Sequence, residues 1–332
     1  MRFTLGVAVA LAVIVAVSNL GSGASPRQHP PKRVTARELA TLAAAKPPGR
    51  PQAAPHKRII PHPHPRVGIV VLHLVDPSRT VSISGSSVPR SFDTIVRYPI
   101  GLRSPFPLIV FGHGYAVTPG RYSRLLDAWT KAGYIVAAPV FPLENANAPG
   151  GPNENDLPNQ PRDMSLVITS LLRPGTRAAA RIASIMDRGH IAVSGQSDGG
   201  DTALAVAYDP SVRDPRVTVA IILSGMVDPF AHQFVLPSHG PTLLAIQGTA
   251  DTINPPATTN AFYDAASPPK FLLTLVGAGH LPPYTEPGVE LTTVEHITLA
   301  FLNHYFKGRS RNFPRYVAAR SAGPGSILDA SP

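Results

Sequence analysis

Residues 191–200 read Ile191-Ala192-Val193-Ser194-Gly195-Gln196-Ser197-Asp198-Gly199-Gly200. An apolar, β-type run ends in Gly-x-Ser-x-Gly, and a helix-type run follows, Asp201-Thr-Ala-Leu-Ala-Val-Ala. A nucleophile elbow needs that order. The serine must sit on a sharp strand-to-helix turn with strained backbone, its hydroxyl raised above the sheet edge. Gly195 and Gly199 flank it because a Cβ at either place would meet the neighbouring strand or helix. Many ordinary turns also read Gly-x-Ser-x-Gly, so the surrounding chain decides.

Outward from the elbow, short apolar runs alternate with helical patterns. Strands are expected at residues 68–74, 92–98, 107–111, 134–140, 191–193, 217–223, 242–246 and 271–275. Helices are expected at 122–132, 161–172, 177–186, after the elbow, at 257–265 and at 289–306. Wholly apolar strands such as 107–111 suit a sheet covered on both faces. The alternation predicts an α/β fold, a mostly parallel doubly wound sheet flanked by helices. Residues 225–241 are too few for a large helical cap domain, which leaves an open site. Its expected walls are Tyr115, residues 141–160, 226–234 and 281–284.

Reactive groups in such a sheet gather beyond the carboxyl ends of the strands. Four stretches stand there: Gly112-His113-Gly114-Tyr115, Ser197, Gln247-Gly-Thr-Ala-Asp251 and Val276-Gly-Ala-Gly-His280. A lone strand-end Asp is more often a helix cap, and a lone His a surface residue. Together they give the order Ser…Asp…His on three strands. Ser197 is the candidate nucleophile. Histidine, with an ordinary pKa near 6.5, can take a serine proton at neutral pH, and His280 is placed to do so. Asp251 would accept from the other ring nitrogen and fix the tautomer. Asp228, in Ser224-Gly-Met-Val-Asp228, is the alternative acid. The backbone N–H groups of Asp198 and Tyr115 are the expected oxyanion donors, each worth about 3–4 kcal/mol. Gly112 and Gly114 let the main chain approach the substrate. This chemistry calls for no cofactor and no metal. Residues 144–156 carry carboxylates and amides that calcium could use, and His56, His62 and His64 are a weaker donor set.

With these residues in hand, the chain resembles a secreted serine hydrolase of the α/β-hydrolase fold over about residues 67–308. Its His113-Gly-Tyr turn, the Asp251-Thr-Ile-Asn-Pro-Pro run and Gly277-Ala-Gly-His280 are similar to the dienelactone-hydrolase-like branch. That branch lies near platelet-activating-factor acetylhydrolases, chlorophyllases and cutinase-like polyester hydrolases. Ser197 stands where dienelactone hydrolases proper carry cysteine. Asp198 stands where this fold often has an apolar residue, and an acid beside a developing oxyanion opposes it unless the side chain turns away. The resemblance implies a carboxylic ester hydrolase working through an acyl-enzyme on a small-molecule, lipid or polymer ester. Two other readings stay open: an acyltransferase on the same triad, and a non-catalytic cell-wall or polyanion-binding protein of the same fold.

The rest of the chain frames that domain. Residues 1–24 read as a signal peptide, with Arg2, an apolar run over 5–17 and Ser22-Gly-Ala24 as cleavage site, although an uncleaved anchor has the same pattern. The expected location is therefore extracellular, with cell-surface association as a variant. The 332 residues include no cysteine, so no disulfide supports the fold. The formal net charge of +10 is concentrated in a Pro-rich arm, residues 25–66, where nine Lys/Arg face Glu38 alone. The arm is read as a disordered linker, either a solvated tether or a contact to anionic cell-surface polymer. No aromatic residue interleaves its charges, so no specific nucleic-acid partner is expected. Residues 309–332 are read as a polar tail.

Overall fold

The computed structural model describes residues 65–83, 85–227 and 234–332. The expected signal peptide, nearly all of the basic arm with His56, His62 and His64, and Asp228 lie outside the described residues.

The described chain opens with two long strands, β1 (Arg66–Ile83) and β2 (Ser86–Ile100). Then follow β3 (Phe106–Gly112), α1 (Ser123–Lys131), β4 (Ile135–Pro139), α2 (Gln160–Leu172) and α3 (Arg177–Ala183). Next come β5 (Met186–Gln196), α4 (Asp198–Tyr208), β6 (Val219–Leu223), β7 (Thr242–Gly248), α5 (Pro256–Ala265) and β8 (Lys270–Leu275). The chain closes with α6 (Pro282–Thr285), α7 (Val289–Lys307), α8 (Asn312–Ala319) and β9 (Ser326–Ser331). The strands form one sheet in the order β1-β2-β4-β3-β5-β6-β7-β8-β9. From β4 through β3 to β8 all pairs are parallel, while β1, β2 and β9 are antiparallel additions. This is the doubly wound arrangement that the alternation predicts.

Side chains alternate between the two faces of each inner strand, as a period of two demands. Leu108 and Val110 of β3, Ala220 and Ile222 of β6, and Leu243 and Ala245 of β7 enter one core with α2, α3, α4 and α5. Ile109 and Phe111, Ile221 and Leu223, and Leu244 and Ile246 enter the other with α1, α7 and α8. Each fully buried Val, Leu, Ile or Phe among them contributes about 1.5–3 kcal/mol. Trp129 anchors the second layer, its indole N–H donating to Thr298 Oγ1 at 2.8 Å and joining α1 to α7.

Two expectations need correction. Residues 309–332 are not a surface tail. Phe313 of α8 is buried against Phe271 and Phe301, and β9 pairs antiparallel with β8 from Lys270↔Ser331 to Leu275↔Ser326. One aromatic anchor and one edge strand hold a segment whose composition reads as loop. The turn-rich residues between 74 and 92 are also strand. A register shift between Asp76 and Thr80 takes Pro77, Ser78 and Arg79 out of the ladder, so the hairpin continues past them.

That hairpin is tied down by a buried charge network. Arg90, 1% exposed, donates to Asp156 at 2.8 Å through both terminal nitrogens and to Asp163 of α2 at 2.5–3.0 Å. Arg79 adds a bond to Asp163 at 2.8 Å and one to Asp76 at 2.6 Å. Burial alone would lower the Arg90 pKa, but the two carboxylates raise it above its ordinary value. The carboxylate of Asp156, a candidate calcium ligand, is thus engaged by Arg90. Among the described residues no group of three or more His, Cys, Asp or Glu could hold a metal ion.

Candidate active site

Strand β5 runs straight into α4, and the turn between them is Ser197 alone, at φ 56° and ψ −130°. A non-glycine residue there is strained by roughly 1–3 kcal/mol. The strain persists because both flanks are fixed: Ser197 N–H donates to Leu223 O at 3.0 Å, and Asp201 N–H to Ser197 O at 2.9 Å. Glycines make the crossing possible. A Cβ on Gly195 would strike the Gly199 carbonyl, and one on Gly199 would strike Gly112. A Cβ on Gly112 would lie 2.9 Å from Gly199 Cα, and one on Gly114 would lie 3.1 Å from Ser197 Cβ. The Gly112–Tyr115 turn is therefore pressed against the serine.

Ser197 Oγ lies 2.9 Å from His280 Nε2, and His280 Nδ1 lies 2.8 Å from Asp251 Oδ2. The Asp251 carboxylate acts as an acceptor, so Nδ1 carries the hydrogen and Nε2 presents its lone pair to the serine. Asp251, 3% exposed, is itself oriented. Its Oδ1 accepts from the N–H groups of Ile253 at 3.0 Å and Asn254 at 2.9 Å, and its Oδ2 accepts from Gln247 Nε2 at 3.2 Å. Behind the imidazole, Gln196 Nε2 donates to His280 O at 3.1 Å, while Tyr122 OH donates to Gln196 Oε1 at 2.7 Å.

The turn opposite leaves the Tyr115 N–H free as a donor. Gly114 N–H donates to Tyr122 OH at 3.2 Å and Ala116 N–H to Glu144 O at 3.0 Å. Tyr115 N–H, between them, has no acceptor among the described residues, and neither does Asp198 N–H in the first turn of α4. His113 props the turn from beneath. Its Nε2 accepts from Phe141 N–H at 3.0 Å, so Nδ1 donates to Gly114 O at 2.9 Å. Burial pushes its pKa down to about 4, so the ring is neutral and this pairing is fixed.

The sequence placed Ser197, Asp251, His280, Tyr115, Asp198 and the four glycines, and the fold brings all of them to one end of the parallel strands. Asp228 falls outside the described residues. Tyr284, expected in a wall, is wholly buried and bonds Ser224 Oγ at 2.9 Å and Ile246 O at 3.1 Å. Sequence reasoning gave no role to His113, Tyr122, Gln196 or Gln247. A hint was available, since His113, Gln196 and Gln247 are polar residues closing apolar strands that end at the reactive edge.

Comparison with known proteins bears on the family and the fold. A sequence model of the chlorophyllase family matches residues 79–258, more than half the chain. The chain belongs to the chlorophyllase family. The matched span contains Ser197 and Asp251 and ends before His280. Chlorophyllases are among the relatives whose motifs the sequence resembles, and membership makes the chain a carboxylic ester hydrolase. Among solved structures, the ferulic acid esterase from Streptomyces cinnamoneus superposes with a TM-score of 0.60 at 20% identity. That match covers 84% of this chain and 98% of the other, and it shows the α/β-hydrolase fold. No curated protein matches the chain.

Proposed function

We propose that this family member is an exported serine esterase that cleaves carboxylic esters through Ser197, His280 and Asp251. The observation that carries the reading is the relay of 2.9 Å from Ser197 Oγ to His280 Nε2 and 2.8 Å from His280 Nδ1 to Asp251. Ser197 Oγ attacks the ester carbonyl while His280 Nε2 takes its proton. The tetrahedral oxyanion accepts from the N–H groups of Asp198 and Tyr115. His280 returns the proton to the departing alcohol, leaving an acyl-serine. Water, deprotonated by the same nitrogen, then attacks the acyl carbon and frees the acid and the serine. Asp251 accepts the Nδ1 hydrogen throughout.

The substrate we infer carries an apolar group beside the scissile ester. Tyr115, 44% exposed, and Ile253, 67% exposed, adjoin the oxyanion turn and the triad acid, and apolar side chains so placed receive apolar ligand surface. The names chlorophyllase and ferulic acid esterase are compatible with such an ester. Export rests on residues 1–24, and the basic arm 25–66 is proposed to meet anionic cell-surface polymer.

A panel of p-nitrophenyl esters from acetate to palmitate, run with Ser197→Ala alongside, tests the reading. Hydrolysis by the wild type that disappears in the variant is the expected result. The absence of both hydrolysis and fluorophosphonate labelling would overturn it. Adding an acceptor alcohol and analysing products separates hydrolysis from acyl transfer.

A further inference from the structure

Glu144 lies in the loop after β4 and is wholly buried. It touches both halves of the oxyanion site. Its main-chain carbonyl accepts from Ala116, the residue after Tyr115, and Ala146 N–H donates to Val117 O at 3.1 Å, so the loop is laced to the turn. Ala116 sits at φ 55°, a conformation that needs such restraint. The Glu144 side chain reaches the carboxylate of Asp198, the residue after the nucleophile.

Two ionised carboxylates could not rest there. Glu144 Oε1, Glu144 Oε2 and Asp198 Oδ2 are buried and have no donor among the described residues. The charged groups that act most strongly on Glu144 are acidic: Asp198, then Asp156, which Arg90 already engages, and Glu154. His113 and Tyr122 line the same side and are neutral. A single proton resolves the conflict, because a protonated Glu144 donates to Asp198 and leaves one charge where there would be two. Burial first, and then Asp198, push the Glu144 carboxyl up to about 11, so that proton is present at neutral pH.

The position of Asp198 makes this matter. Its Oδ1 stands 3.4 Å from Ser197 Oγ, already a distant competitor of His280 for the serine hydroxyl. We propose that Glu144 is a positioning residue that donates its proton to Asp198 and holds that carboxylate away from the serine hydroxyl and the developing oxyanion. The proposal rests on the reading of Ser197 as nucleophile with the Asp198 and Tyr115 N–H groups as oxyanion donors. Without its donor, Asp198 would turn its acceptor to Ser197 and its charge to the oxyanion, two faults that lower kcat.

The test is a mutant cycle on the full chain, read as kcat and KM for p-nitrophenyl acetate. An oxyanion donor is worth about 10²–10³ in kcat, and Glu144→Leu should lose part of that, at least about tenfold, with KM little changed. Glu144→Gln keeps a donor and should stay within about threefold of wild type. Glu144→Leu/Asp198→Asn removes the unheld charge and should recover most of the loss. A merely structural role for Glu144 could not be rescued at Asp198. Wild-type kcat in Glu144→Leu overturns the proposal, as does a loss that Asp198→Asn leaves in place or that Glu144→Gln shares in full. If Glu144→Leu is insoluble, Glu144→Ala with and without Asp198→Asn gives the same cycle. Ser197→Ala runs in parallel, and turnover surviving there would instead reject the nucleophile and the proposal with it.

Discussion

Asp251 holds His280 with one oxygen and gives the other to two main-chain N–H groups of its own turn. An amide in its place would present a donor to one of these donors and upset the histidine tautomer. Asp251→Asn should therefore lower kcat by about 10⁴-fold at unchanged fold. Asp228→Asn should leave ester hydrolysis near wild type. The reverse result, read from the same assay and a thermal melt, would transfer the acid to Asp228. Residues of this kind were legible in the sequence because each follows an apolar strand. Tyr284 was not, since an aromatic residue four positions after a histidine reads equally as wall or core, and only the packed α6 decides. Glu144 was equally opaque, because what makes it unusual is a neighbour 54 positions away.

Elements were legible where both faces are buried. Runs such as 107–111 and 242–246 have no polar face to blur them, and they became β3 and β7 within two residues of the expected ends. The sequence shows the hairpin of β1 and β2 short of its full length because Pro77, Ser78 and Pro89 mark turns everywhere except at bulges and edges. The 309–332 segment reads as a tail because α8 contributes a single buried aromatic and β9 mixes polar residues with one fully buried leucine, Leu328. Long-range charge is the deepest blind spot, as Arg90 finds Asp156 and Asp163 more than sixty positions away. That network links hairpin, loop and α2. Arg90→Met leaves two carboxylates buried with less compensation and should cost about 3–5 kcal/mol. The urea midpoint measures it, and a change below about 1 kcal/mol would mean that Arg79 and water carry Asp163 and Asp156 unaided.

At the scale of the whole molecule, two buried groups set opposite pH limits on stability. His113 is held neutral down to about 4, while an unfolded histidine takes its proton near 6.5. Between those values the unfolded state binds the extra proton, so stability falls as pH drops through that window. Glu144 keeps its proton to about 11, while an unfolded glutamate loses it near 4.3. There the folded state binds the extra proton, so stability falls as pH rises. Glu144→Gln cannot titrate. Its advantage over wild type should be near zero at about pH 4.5 and should grow by on the order of 1 kcal/mol per pH unit above it. Urea unfolding at pH 5, 6, 7 and 8 reads that slope, and parallel curves for the two proteins would show that Glu144 stays ionised in the folded protein as it is in the unfolded chain.

The elbow holds position 197 by its backbone and its glycines, not by the serine side chain, and the chain contains no sulfhydryl anywhere. Ser197→Cys would therefore place a single, chemically unique thiol against an imidazole already aimed at it. Acyl groups taken from a mixed extract would collect there as thioesters, with no second thiol to accept them. Mass spectrometry of the intact protein would then report which acyl group the protein selects, and so turn a question of substrate identity into the weighing of one adduct.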